Sequence, residues 1–145
     1  MSVPFLREDY TLEFCQIQLN YLDYEFQAAN AKMEVLKELN IPVWVMEPLR
    51  GGKLVKALDN YKDKLNELRP NIDEVEWAFR FVQTFPEVKV ILSGMSNMEQ
   101  LQDNINTFTN YEELTVEDKE IIEKAKKAIL GNNFVPCTGC KYCMP

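Results

Sequence analysis

From Glu13 to Asn20 (EFCQIQLN) apolar and polar positions alternate, with Phe14 apart: Cys15, Ile17 and Leu19 fall on one side, Gln16, Gln18 and Asn20 on the other. A period of two predicts a strand with one polar face. Between Gln27 and Leu39 the period lengthens, with Ala28, Ala31, Val35, Leu36 and Leu39 at helical spacing. Asn40-Ile41-Pro42 stops that helix and opens a short β-branched strand, Val43 to Glu47. After Pro48-Leu49, the run Arg50-Gly51-Gly52-Lys53 predicts a turn, followed by a short apolar-polar stretch around Leu54, Val55 and Leu58 and a polar loop to about Pro70. Asp73 to Phe85 predicts an amphipathic helix, with Val75, Ala78, Phe79, Val82 and Phe85 as its buried stripe, Asn71 or Asp73 as its cap and Pro86 as its stop.

A third buried strand is expected at Lys89 to Ser93, ending in Gly94. Ser96-Asn97-Met98-Glu99 has the form of a capping box, opening a helix that carries Met98, Leu101, Ile105 and Phe108. Thr115-Val116-Glu117-Asp118 is a second such start. Ile121, Ile122, Ala125, Ala128 and Ile129 give that last helix an apolar face before Gly131 ends it.

The order is strand, helix three times over, then an extra helix and a tail, which reads as consecutive βα units in an α/β fold with a parallel sheet. Three strands leave two open edges, which the helix from Val116 to Leu130 is one candidate to cover. A complete (β/α)8 TIM barrel takes roughly 250 residues, so three units should occupy roughly 90 to 100, close to the stretch from Glu13 to Thr109. The expected organisation is a partial barrel over residues 1–112, a C-terminal helix over 113–131 and a cysteine-rich tail over 132–145.

Composition narrows the chemistry. The 145 residues contain 16 basic and 23 acidic side chains, a net charge of -7 that gives no general attraction to nucleic acid or anionic lipid. There is no histidine, which removes Ser-His, Cys-His and His-ligated zinc mechanisms from this chain taken alone. No run approaches the ~20 apolar residues of a membrane span. Arg7, Glu8 and Asp9 fall where a signal peptide would be apolar, so the expected location is the cytoplasm. Cysteines there are better read as metal ligands than as disulfides, and Cys137, Cys140 and Cys143 crowd the end of the chain.

Ligands of parallel α/β folds sit outside the carboxyl ends of the strands. The first end offers the amides of Gln16, Gln18 and Asn20, suited either to a planar polar ring or simply to a wet barrel mouth. The second is Glu47-Pro48-Leu49-Arg50-Gly51-Gly52-Lys53, either an ordinary turn or a loop whose glycines admit an anion, with Arg50 or Lys53 supplying charge. The third, Ser93-Gly94-Met95-Ser96, runs into a helix whose free N–H groups favour phosphate.

In this order the three ends resemble the last three strands of the aldo-keto reductases. Gly94-Met95-Ser96-Asn97-Met98-Glu99-Gln100-Leu101-Gln102-Asp103-Asn104-Ile105 is similar to that family's G-x-S-N-x-x-Q-L-x-E-N-I signature. The resemblance implies an NADP- or NAD-dependent carbonyl reductase in which Gly94, Ser96, Gln100, Asp103 and Asn104 hold the adenosine half of the cofactor. Glu47-Pro48-Leu49 with Gly52 is similar to S-P-L-x-x-G, which implies that this loop and Lys53 wrap the pyrophosphate; Gln16 matches the glutamine that binds the nicotinamide carboxamide. Departures are Glu47 in place of serine, Asp103 in place of glutamate, and no cation at Gly94, Met95 or Gln100 for a 2′-phosphate. The family's catalytic Asp, Tyr, Lys and His belong to earlier strands, so no catalytic residue is expected in this chain.

Cys137-x-x-Cys140-x-x-Cys143 has the spacing of the first three ligands of a bacterial ferredoxin run, consistent with a cluster or with a thiol-rich tail that binds no metal. Cys15 reads as a small buried hydrophobe. One branch of the aldo-keto reductases carries a ferredoxin-like 4Fe-4S tail, and CTGCKYCMP is similar to its opening. The expectation is a carboxyl-side portion of such a reductase, inactive alone, whose partners in the longer protein are a nicotinamide cofactor and a small carbonyl substrate. An iron-sulfur electron-transfer module, or an interaction protein that self-associates through open sheet edges, are the alternatives.

Overall fold

The computed structural model describes residues 12–70 and 72–131. Three strands, β1 (Cys15–Gln18), β2 (Val43–Met46) and β3 (Val88–Ile91), form one parallel sheet in the order β1-β2-β3. β1 pairs in continuous register with β2, from Cys15 opposite Val43 to Gln18 opposite Met46. Against β3 the register slips after Val43, so that Trp44 faces Val90 and Lys89 is the inserted residue.

Among the described residues seven α-helices connect and follow the strands: α1 (Asp23–Phe26), α2 (Ala29–Glu38), α3 (Lys53–Leu58), α4 (Lys62–Leu68), α5 (Glu74–Gln83), α6 (Met98–Thr109) and α7 (Val116–Gly131). The alternation of each strand turns one set of side chains to these helices. Ile17, Leu19, Val43 and Val45 are buried with Ala29, Met33 and Leu36 of α2 and Val82 of α5. Cys15 packs half-buried against this cluster, as expected of a small hydrophobe.

A second cluster lies among the helices, where Leu54 and Leu58 of α3, Leu65 of α4 and Trp77 of α5 meet Ile121, Ile122 and Ala125 of α7. This corrects two expectations. The stretch from Asp59 to Pro70 is largely helical, not a loop, because one fully buried residue, Leu65, anchors a largely polar helix to α7. And α7 packs on α3 and α4 in the helical layer rather than along a sheet edge.

The opposite face of the sheet carries Gln16 and Met46, both exposed, and Trp44, on whose ring Phe14 stacks with centroids 4.0 Å apart. Among the described residues no helix is long and apolar enough to cross a membrane.

The connection between α6 and α7 is pinned by two arginines. Arg80 of α5 ion-pairs with Glu76 and donates to the carbonyls of Glu112 (2.7 Å) and Asn110 (3.1 Å). Arg69 donates to Asp118 (2.8 Å), Glu112 (2.6 Å) and the carbonyl of Glu113 (2.7 Å). Thr115 and Asp118 satisfy each other's backbone N–H groups, the reciprocal cap read from the sequence. Asp73 caps α5 by accepting from the N–H of Glu76 at 2.7 Å; the other candidate, Asn71, lies outside the described residues.

Candidate functional site at the carboxyl ends of the strands

Directly after β2 the chain makes two successive turns. The N–H of Arg50 donates to the carbonyl of Glu47 and the N–H of Gly52 to that of Leu49. Four residues of this loop are left-handed: Glu47 (φ 55), Arg50 (φ 50), Gly51 (φ 62) and Gly52 (φ 78). A Cβ on either glycine would meet no atom within 4 Å, so backbone conformation, not space, selects glycine there. Glu47 and Arg50 have no such freedom, and each left-handed side-chain-bearing residue costs roughly 1–2 kcal/mol.

What holds them is a buried polar group centred on Asp23. Its Oδ2 accepts from Gln18 Nε2 at 2.6 Å and from Asn20 Nδ2 at 2.7 Å, and lies 3.4 Å from Arg50 Nε. Both charged side chains are 0% exposed. Asn20 Nδ2 also donates to the carbonyl of Glu47 (2.9 Å), while its Oδ1 accepts from the N–H groups of Leu22 and Asp23 and so starts α1. The Arg50 guanidinium sits 5.7 Å from the centroid of the Phe26 ring. The end of β1 and the loop after β2 are thus tied together by charge and hydrogen bonds.

This arrangement redistributes the expected roles. Gln16 alone of the three amides stays on the open face, where its Nε2 lies 3.4 Å from Met46 Sδ. Gln18 and Asn20 are committed to Asp23 and do not form a row of free amides. Arg50 faces inward, buried beside Asp23, whereas Lys53 is exposed. Pro48 is buried and Leu49 half-buried beneath it.

At the third strand end, a cleft of about 130 Å³ opens between Leu49 of the loop, Asp73 at the head of α5 and Gly94. Gln100, Asp103 and Asn104 of α6 close its other side. Asn104 Nδ2 donates to Ser93 Oγ at 2.9 Å and locks α6 to the strand end. The cap of α6 is shifted by one residue from the sequence expectation. Asn97 Oδ1, not Ser96, accepts from the helix, at the N–H of Gln100 (2.9 Å), and Gln100 Oε1 reaches back to the N–H of Ser96 (2.8 Å). Asparagine caps as well as serine does, and here the glutamine three residues on completes the reciprocal pair that Glu99 was expected to supply.

Asp23 has no counterpart among the expected site residues. Its signal was the spacing Asn20-Tyr21-Leu22-Asp23, an amide side chain three residues before an acid, which is a helix-start pattern. Among the described residues no group of three or more His, Cys, Asp or Glu side chains is placed to hold a metal ion. Cys137, Cys140 and Cys143 lie outside the described residues.

Fold and site together define an α/β protein of consecutive βα units that gathers its polar groups at the carboxyl ends of its strands. Residues 6–127 match the Aldo/keto reductase family, and the chain belongs to that family. Its fold is similar to the apo and holo forms of aldo-keto reductase AKR11C1 from Bacillus halodurans, with TM-scores of 0.62 and 0.63 at 17% sequence identity. Each likeness covers 81% of this chain and 44% of that one, so the chain spans less than half the length of that reductase. No curated protein sequence matches the chain.

Proposed function

We propose that this chain is the nucleotide-holding, carboxyl-side part of an aldo-keto reductase, formed from the last three βα units of a (β/α)8 barrel. The observation that carries this reading is the cleft joining Leu49 of the left-handed loop to Gly94, Gln100, Asp103 and Asn104. It brings two segments far apart in sequence, each similar to a cofactor-binding motif, to one place. The open space at Gly94, where an added Cβ would meet no atom within 4 Å, fits close approach by a ligand.

A nicotinamide nucleotide, when bound, supplies the hydride for carbonyl reduction. The chain's own residues bind and orient it. Gln16, exposed within β1 on the open face of the sheet, would hydrogen-bond the nicotinamide amide. Glu47, Pro48, Leu49, Gly52 and Lys53 clasp the pyrophosphate, with Lys53 as the charge. Ser96, Gln100, Asp103 and Asn104 hold the adenosine end. No proton-transfer group for the carbonyl is assigned to this chain, so it turns over no substrate alone. Titration of NADPH into the chain, followed by amide NMR shifts, should perturb Gly52, Gly94 and Ser96, and Gln100→Ala should weaken binding. Shifts scattered over the surface, or none, would sink the reading.

Cys137, Cys140 and Cys143 support a second element, a 4Fe-4S segment, because three thiolates at two-residue spacings fit one compact cluster. Reduced thiols of this kind suit a cytoplasmic location. Anaerobic reconstitution with iron and sulfide should give a broad absorption near ~400 nm; a colourless product, with the three cysteines reduced, counts against a cluster.

A further inference from the structure

We infer that two copies of this chain dock through a twofold interface in which α6 of one lies antiparallel against α6 of the other, with their β3 edges paired beneath. α6 carries Met98, Leu101, Ile105 and Phe108 spaced three, four and three residues apart, the a and d pattern by which one helix seats against another. Its own chain leaves that stripe open. Met98 is 76% exposed, Ile105 49% and Phe108 41%, and among the described residues of α6 only Thr107 is buried. The cause is topological. A right-handed connection sets the helix after a strand over the groove between that strand and the next, and among the described residues the sheet ends at β3. α6 therefore touches its own chain only along one flank, where Phe108 meets Phe79 of α5 with ring centroids 5.3 Å apart and Asn104 bonds to Ser93.

A second copy fits because one operation answers both the open stripe and the open edge. A twofold axis perpendicular to the sheet sets β3 antiparallel to β3 and α6 antiparallel to α6, with both helices on the same side. In that arrangement Met98 seats opposite Phe108 of the second copy and Leu101 opposite Ile105, so the stripe complements itself. The N–H of Leu92 donates to the carbonyl of Val45 at 2.9 Å, and by alternation that of Ile91 points to the free edge. Charge also permits a like partner, although the chain carries a net charge of -7. The residues that flank the stripe on its free side, Gln102, Asn106 and Thr109, are neutral, and the acids of α6, Glu99 and Asp103, fall on the far side of the helix. Lys89, the one charged residue of β3, turns its ammonium back to the carbonyl of Pro86 at 2.8 Å.

The test is size exclusion with light scattering on the 145-residue chain. Over roughly 1 to 100 µM the mass should rise to twice that of the monomer and stop there, because the contact is small and closes on itself. Met98→Glu and Ile105→Glu, both at exposed positions, should keep the circular dichroism of the fold and weaken the dimer at least about tenfold, since each buries an unpaired carboxylate in the seam. Val116→Glu, at a position 70% exposed on α7, should leave the dimer as it is. Added salt should not disperse it, because no ion pair holds it. A strict monomer at every concentration, a mass that climbs past the dimer, or a dimer that survives both α6 variants overturns the proposal. So does a dimer that Met46→Lys, on the open face of the sheet, dissolves more readily than they do. Hydrogen exchange at the Ile91 N–H should slow as the dimer forms, and an unchanged rate there overturns the strand pairing.

Discussion

Asp23 and Arg50 show how much of this site depends on one buried pair. Each is fully enclosed, and the loop that Arg50 belongs to adopts a conformation that two of its side-chain-bearing residues resist. Removing one member of a buried ion pair costs about 3–5 kcal/mol. Asp23→Asn should therefore lower stability to urea by about that amount, and backbone N–H exchange should accelerate at Gly52 and Lys53 before it does in α5. A variant that unfolds at the original urea midpoint would show the pair to be dispensable. Tyr21 gives a second residue-scale prediction. Its hydroxyl donates to the carbonyl of Leu54 at 2.7 Å, and burial pushes the phenol well above its ordinary range. A raised folded value favours the protonated native state, so this contribution is whole below the ordinary phenol value of about 10 and declines as pH rises through the alkaline range. Tyr21→Phe should be less stable at neutral pH by about 1 kcal/mol and lose less of its stability on going to alkaline pH. None of this was visible in the chain's hydrophobic pattern, because Tyr21 and Asp23 fall between the strand expected to end at Asn20 and the helix expected from Gln27.

The helices divide into those whose own sequence declares them and those that packing alone creates. α5 and α6 carry a regular apolar stripe and a capping residue, and both were expected to within a few residues. α1 has four residues and α4 has only Leu65 and the exposed Leu68 as apolar positions, so neither has enough repeat to register as a helix before its neighbours are known. α7 is secured from both ends. Near its start Asp118 serves as cap and as partner of Arg69, so Asp118→Ala should remove both and cost about 2–4 kcal/mol in thermal or urea unfolding. Toward its other end Lys126, buried, donates to Glu25 of α1 at 2.8 Å and to Glu123 at 2.6 Å. Burial alone would lower the ammonium's pKa, but the hydrogen bonds it donates to Glu123 and Glu25, with their negative charge, outweigh it and raise the value. The linkage has the same sign as for Tyr21: the contribution is full below the ordinary lysine value of about 10.4 and is lost as pH rises through the raised one. Lys126→Met should flatten the alkaline limb of the stability curve, and an unchanged limb would mean that the ammonium contributes nothing.

At the scale of the molecule, three parallel strands with helices on one side leave, among the described residues, β1 and β3 as edges and the far face of the sheet uncovered. A chain of this kind should self-associate, and size-exclusion with light scattering should show mass above the monomer that falls on dilution. A strict monomer at all concentrations would mean that the edges are blunted. The parallel βα order was legible because strand and helix periods differ and alternate cleanly. The cleft was legible only as separate motifs, since their meeting at one place depends on the sheet order, which no local pattern encodes.

The stack of Phe14 on Trp44 makes this face optically distinct. The protein has two indoles, and the other, Trp77, is fully enclosed. Trp44, half-exposed and opposite Gln16 in the strand register, is the one that an aqueous quencher reaches and the one nearest the proposed nicotinamide end. Its emission overlaps the absorption of a reduced nicotinamide, so cofactor arrival should be readable as energy transfer from Trp44. Acrylamide would then silence the signal from Trp44 while that from Trp77 persists, giving an internal reference within the same chain.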